Sequence, residues 1–178
     1  MTEGTRLANL VAALGLETVD RIGAATSEVT SLSPSAVSAL IALDNYAADR
    51  PQGTLRVALD LSQPATARVL DRLERERLVC RRRGRASDGR ELRVSVTPRG
   101  RELAARIGAA RLEAIDELLG ELPTGSHPAL ERAVETLLTA ATRGRDDAQR
   151  ICRRCAPDVC GHPESCPVTQ AADRAVGR

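Results

Sequence analysis

Phenylalanine, tryptophan and lysine are all missing from this chain of 178 residues, and Tyr46 is its only aromatic side chain. A core without Phe or Trp must be filled by Leu, Val, Ile and Ala, which suits helices packed on helices. Their absence also removes the platforms on which single-stranded RNA bases stack, and so excludes a reader of the aromatic-sheet type. With no lysine, every fixed positive charge is a guanidinium, a planar fork that suits phosphate and guanine, although codon bias produces the same usage. No apolar run approaches a membrane span, and Met1-Thr-Glu-Gly lacks the basic and apolar regions of a signal peptide, so a cytoplasmic protein without membrane association is expected. No phosphate-binding glycine loop, zinc-protease helix or nucleophile elbow is present, and His127 lies in a Gly/Ser/Pro loop without an evident partner. An enzyme is not expected. The length admits one ordinary domain, or a domain and a tail.

The most informative stretch runs from Leu61 to Thr97, LSQPATARVLDRLERERLVCRRRGRASDGRELRVSVT. Ser62 is a good N-cap, Pro64 falls in the first turn where a missing N–H is harmless, and Val69, Leu70 and Leu73 give the helix one apolar face. The other face carries Gln63, Ala65, Arg68, Asp71, Arg72 and Arg75. Val79 to Arg83 and Glu91 to Thr97 then alternate around a turn holding Asp88 and Gly89, which predicts a hairpin. From Arg68 to Arg101 twelve arginines stand against five carboxylates, whereas the whole chain carries only +2. Such concentration is the electrostatic footprint of a surface that meets phosphate. A charge run alone is more often a solvated face, but here the arginines sit on a short capped helix and on the hairpin after it, the two elements a winged helix-turn-helix places in adjacent grooves.

The flanking sequence predicts further helices. Leu7, Leu10, Val11 and Leu14 open one that runs to about Thr26. Leu32-Ser33-Pro34 starts a second, with Val37, Leu40, Ile41 and Tyr46 on its core side. Pro51 and Gly53 break the chain, Thr54 is expected to cap a short helix with Leu55, Ala58 and Leu59 inward, and Asp60-Leu61-Ser62 turns into the next. After the hairpin, Thr97-Pro98 begins a long helix carrying Leu103, Ile107, Ala110, Leu112, Ile115, Leu118 and Leu119. Pro123 to Pro128 is expected as a loop, and Leu130, Val134, Leu137, Leu138 and Ala141 mark a last helix. The expected fold class is mainly α with a small β-hairpin wing. The division is 1–30, an N-terminal dimerisation helix; 31–100, the winged helix-turn-helix; 101–148, C-terminal dimerisation helices; and 149–178, a cysteine-rich tail. Long apolar helices on either side of a small reading unit fit a homodimer.

The LSQPATARVLDRLERERLV helix, the SDGRELRVSVTPRG wing and the layout of helices around them resemble the MarR-type winged-helix transcription regulators, over roughly Leu7 to Arg143. The resemblance implies a homodimer that binds a pseudo-palindromic duplex operator as a repressor and answers to a small-molecule effector. It implies base-facing positions at Gln63, Pro64, Ala65, Thr66 and Arg68, with Arg68 suited to the O6/N7 edge of guanine, and Arg72 on the same face. It places Arg90 in the minor groove with Asp88 fixing its direction, while Arg82, Arg83 and Arg85 supply phosphate contacts.

Four of the five cysteines lie outside that resemblance. Cys152, Cys155, Cys160 and Cys166 form a C-x2-C-x4-C-x5-C pattern. In a cytoplasmic chain such a set points to metal or redox chemistry before a structural disulfide. Four thiolates suit a tetrahedral zinc ion, with Pro157, Gly161 and Pro163 bending the ligands inward; an iron–sulfur cluster takes the same four ligands, and Cys166-Pro167 suits its loops. A thiol switch, or a tail with no site, accounts for the spacing as well. Arg153 and Arg154 would offset the negative charge of a metal centre, and His162 is expected outside a four-cysteine shell. Cys80, in the first hairpin strand, reads as a small packing residue. A second class of function, a redox or electron-transfer protein that uses the tail and docks through the helical body, leaves the arginine-rich wing unexplained.

Overall fold

The computed structural model describes residues 3–46, 52–83 and 92–177. Nine helices and one hairpin are formed among the described residues: α1 Glu3–Val29, α2 Pro34–Asn45, α3 Gln52–Leu59, α4 Gln63–Arg75, β1 Val79–Arg83, β2 Leu92–Val96, α5 Pro98–Gly120, α6 His127–Ala141, α7 Arg145–Cys152, α8 Pro157–Cys160 and α9 Pro167–Val176. The two strands pair antiparallel, with Val79 opposite Val96 and Arg83 opposite Leu92.

Capping chemistry sets the starts of three helices. Ser33, Ser62 and Thr97 are extended N-cap residues whose side chains accept from the N–H groups of Ala36, Ala65 and Gly100, and each is followed by proline in the first turn. Such a cap is worth about 1 kcal/mol. The core lies between α2, α4, the hairpin and the start of α5, where Leu40, Leu70, Leu73, Leu78, Val94 and Ile107 are almost fully enclosed. It is aliphatic throughout, as the composition requires.

Thr97 joins three of these elements. Its hydroxyl donates to the carbonyl oxygens of Arg77, at 2.8 Å, and Leu78, at 3.1 Å, while accepting from the Gly100 N–H at 3.0 Å. Gly100 is the residue this joint demands, because a Cβ there would stand 2.1 Å from the Leu78 carbonyl oxygen. The wing and the long helix α5 are thereby fixed against the exit of α4.

Two boundaries differ from the sequence-based expectation. α3 begins at Gln52, so Thr54 lies inside it rather than capping it; glycine at position 53 lowers helix propensity without stopping a helix. Pro128 belongs to the first turn of α6 rather than to a loop, where its missing N–H costs nothing. The larger difference is at the C-terminus. Residues after Arg145 build three helices, with α7 packed on α3 and on α9, and α9 also packed on α6. The expected boundary at residue 149 falls inside α7.

Candidate nucleic-acid interface and the cysteine cluster beside it

The reading surface is built on α4. Its inner face, Thr66, Leu70 and Leu73, is buried, and Asp60 turns the chain from α3 through a left-handed backbone at φ 51°. Aspartate tolerates that conformation better than most residues. Gln63, Pro64 and Arg68 are exposed on the outer face, and Ala65 is half-buried. Arg68 has no ion pair among the described residues.

Thr66 corrects the sequence reading. It is 1% exposed, and its hydroxyl donates to the Ser62 carbonyl oxygen at 3.0 Å. It stands four residues before Leu70 and seven before Leu73, so the helical repeat turns it into the core, where it cannot face a base.

Arginines that look alike in sequence have different surroundings. Arg81 is held against α4 by Asp71 at 2.7 Å and Glu74 at 3.4 Å, and it also donates to the Ala67 carbonyl oxygen. It therefore fastens the wing to the helix. Arg72 pairs with Glu76 one turn on, while remaining half exposed. Arg82 is exposed at the outer part of the hairpin. The Arg83 side chain, and Arg85, Asp88 and Arg90 with the turn that holds them, lie outside the described residues.

A buried helix-turn-helix carrying an outward polar helix face, followed directly by a hairpin, defines the winged-helix class of DNA-binding domains. Solved structures with this arrangement are MarR-family transcriptional regulators, and the chain has their fold. A MarR family protein from Bacillus stearothermophilus superposes with a TM-score of 0.67 at 22% identity, covering 77% of this chain and 95% of its own. The Mycobacterium tuberculosis MarR family protein RV2887, solved with salicylic acid, gives 0.58 at 27% identity over 74% of this chain and 95% of its own. A MepR variant from S. aureus bound to an oligodeoxyribonucleotide gives 0.58 at 18% identity over 75% and 96%. No protein-family model and no curated protein matches the chain. Each neighbour is covered almost completely, so roughly a quarter of this chain lies outside the shared fold.

The C-terminal segment brings its four cysteines together against the helix-turn-helix. All are free thiols, with Cys166 buried and the others half-buried. Cys160 and Cys166 lie with their sulfurs 3.5 Å apart. Cys155 lies close enough to Cys152, Cys160 and Tyr46 to interact with each, so the four thiols follow one another as neighbours in the order 152, 155, 160, 166. The hydrogen bond from Cys152 is the main cause that draws Cys155 down to about 6 against the opposing effect of burial, with Arg111 adding its charge. Giving that hydrogen bond, together with burial, pushes Cys152 well above the ordinary thiol range. Burial and the bond given to Cys166 push Cys160 up to about 12. At Cys166, burial opposes ionisation but donors from Thr169 and the Val168 backbone outweigh it and lower the thiol. Among the described residues, no three His, Cys, Asp or Glu side chains already close on one point as metal ligands.

Second contacts fix this cluster to the reading head. Arg154 donates to Ser38 Oγ and to the Pro34 carbonyl oxygen, each at 2.7 Å, and Asn45 Nδ2 donates to the Cys155 carbonyl oxygen at 2.7 Å. Adjacent residues thus grip α2 at two places about two turns apart. Arg153 donates to the Arg150 carbonyl oxygen. Arg111 of α5 acts electrostatically on Cys155. It lies more than forty positions from the first tail cysteine, with no local signal to mark it. His162 stays outside the sulfur chain, bonded through Nδ1 to Thr169 Oγ1 at 2.8 Å and edge-on to Tyr46 at 5.7 Å between ring centroids. A cavity of about 300 Å³ opens between α2, α3, α7 and α9, lined by Ala42, Tyr46, Ala58, Gln149 and Cys152 among others.

Proposed function

We propose that this protein is a transcription regulator that binds a pseudo-palindromic duplex operator as a homodimer and represses from it. The observation that carries the reading is the outer face of α4, where Gln63, Pro64 and Arg68 project from a helix whose opposite face is locked into the core. In the major groove Arg68 would offer both guanidinium donors to guanine O6 and N7, while Gln63 and Ala65 meet neighbouring edges. Arg72, once released from Glu76, and Arg82, Arg83 and Arg85 neutralise phosphates; Arg90, aimed by Asp88, enters the minor groove. The MepR variant bound to an oligodeoxyribonucleotide supports this use of the fold.

Dimerisation follows from apolar surface that the monomer leaves in water. Leu7 is 62% exposed and Leu10, Val11 and Leu14 about half exposed on α1, with Val134 and Leu137 exposed on α6. Each such side chain gains about 1.5–3 kcal/mol when fully covered. A second copy presenting the same stripe covers it by two-fold symmetry and sets the distance between two reading heads. The salicylic acid complex of RV2887 supports a response to a small-molecule effector. No catalytic step is assigned to the chain.

Selection from random duplexes, followed by gel shift on the selected sequence, tests the reading. Two half-sites about one helical turn apart, bound by a dimer, are expected. A footprint of one half-site from a monomer contradicts it.

A further inference from the structure

We infer that Cys152, Cys155, Cys160 and Cys166 form a binding site for one thiophilic divalent cation, zinc(II), and that the loaded site fastens the C-terminal helices to the reading head. Three observations carry this.

The sulfur spacing comes first. Zinc holds thiolates at about 2.3 Å, so two of them on a tetrahedron stand about 3.8 Å apart. The 3.5 Å between Cys160 and Cys166 is close to that edge and far from a disulfide bond of about 2.05 Å. Cys155 is a neighbour of both Cys152 and Cys160, so the four thiols follow one another as a string, although no three of them yet close on one point. A pair of disulfides would use only the outer contacts of that string. One cation uses all four sulfurs: it replaces the thiol protons, which pass to solvent, and closes the string into a shell by side-chain rotation.

The surroundings suit an anionic centre. Four thiolates and a divalent cation carry an excess of two negative charges. Arg111 from α5 lies within electrostatic reach of Cys155 and favours its anion. Cys166 occupies the N-cap position of α9, beside the first backbone N–H groups of that helix, without a side-chain capping bond. Gly161, at φ 69° with Ser165 packed closely against it, makes the tight turn that returns the chain from Cys160 toward Cys166. Such outer partners orient metal ligands and balance their charge.

The third observation is position. α7 packs on α3, the first helix of the helix-turn-helix, while α9 packs on α6, whose apolar surface the dimer reading uses. The four sulfurs sit between those helices, and Arg154 and Cys155 hold α2. The regulatory part of this inference therefore rests on the DNA-reading proposal, but the metal site does not.

The experiment uses the full chain, purified reduced and without air, stripped with chelator and titrated with cobalt(II) chloride. One cobalt per chain should bind with the intense sulfur-to-metal absorption of a tetrahedral thiolate site, and one equivalent of zinc(II) chloride should abolish that absorption. Cys80→Ser should keep the signal, and the double variant Cys152→Ser, Cys155→Ser should lose it. Because that variant could fold poorly, hydrogen exchange of the wild-type chain is a second readout: zinc should slow exchange in α7, α9 and the facing parts of α2 and α3 by tenfold or more. Absence of a cobalt signal, a signal retained in the double variant, or a brown protein containing acid-labile sulfide would each overturn the zinc assignment. No DNA enters these measurements, so their failure is separate from failure of the operator-binding reading.

Discussion

The reading head and the C-terminal segment differ in what holds them together. The head, from α2 to the start of α5, closes on a continuous aliphatic core in which Leu40, Leu70 and Leu73 are fully enclosed. The C-terminal segment buries only Cys166, Val168, Ala171 and Ala172, small side chains that bring little apolar area. It compensates with polar fastenings: the Arg154 and Asn45 hydrogen bonds and the string of four thiols. A core made of Leu and Val stands by itself, whereas a segment of Ala and Cys depends on its neighbour and on whatever binds its sulfurs. The first is therefore suited to constant geometry, and the second to a change of state.

Several substitutions should separate the two regions. The largest effect is expected outside both, on the apolar stripe of α1. Leu10→Glu with Leu14→Glu should cost the dimer about 3–6 kcal/mol, from four side chains, two on each protomer, that are already half covered in the monomer and so contribute about half of a full burial each. Sedimentation should then show monomer, with the head still folded; a dimer at unchanged concentration would show that α5 and α6 suffice. Within the head, Gly100→Ala places a methyl against the Leu78 carbonyl oxygen and should lower stability by about 3 kcal/mol. A melting temperature equal to that of the parent chain would mean the joint at Thr97 yields more easily than its geometry indicates.

Smaller and more local is the expected effect of Arg154→Ala. It removes two charge-assisted hydrogen bonds to α2, worth about 1.5–3 kcal/mol each when fully made, discounted here because the guanidinium is only half-buried. Faster hydrogen exchange should be confined to α7–α9 and the first turn of α2. If exchange quickens equally through Leu70 and Leu73, the two regions unfold as one unit and the contrast drawn above is wrong.

Much of the head was legible because its signals are local. Ser33, Ser62 and Thr97 each announce a helix within four residues, and the alternation around Asp88 and Gly89 announces a hairpin. Thr66 received its base-facing role from the resemblance alone, whereas the helical phase counted from Leu70 and Leu73 turns it inward. The C-terminal helices are obscured in the sequence by cysteine and proline, residues typical of a loop-like metal site. Yet Val168, Ala171, Ala172 and Ala175 follow the same i, i+3, i+4, i+7 rule as α1. The partners of this segment were not legible at all, since Arg111 and Asn45 meet Cys155, and Ser38 meets Arg154, only through tertiary packing. The same limit applies to Arg81, whose pairing with Asp71 and Glu74 distinguishes it from Arg82 beside it.

The central claim is that the outer face of α4 reads base sequence, and binding of Arg68→Ala to the selected operator measures it most directly. With wild-type and variant dimers compared at one salt concentration, the account predicts a loss of about 1–3 kcal/mol for each bidentate guanine contact. The loss should come with relaxed preference at one position in each half-site, and with affinity for random duplex nearly unchanged. An Arg68→Ala dimer that binds the operator as tightly as wild type and keeps the same preferred base at every position would contradict it.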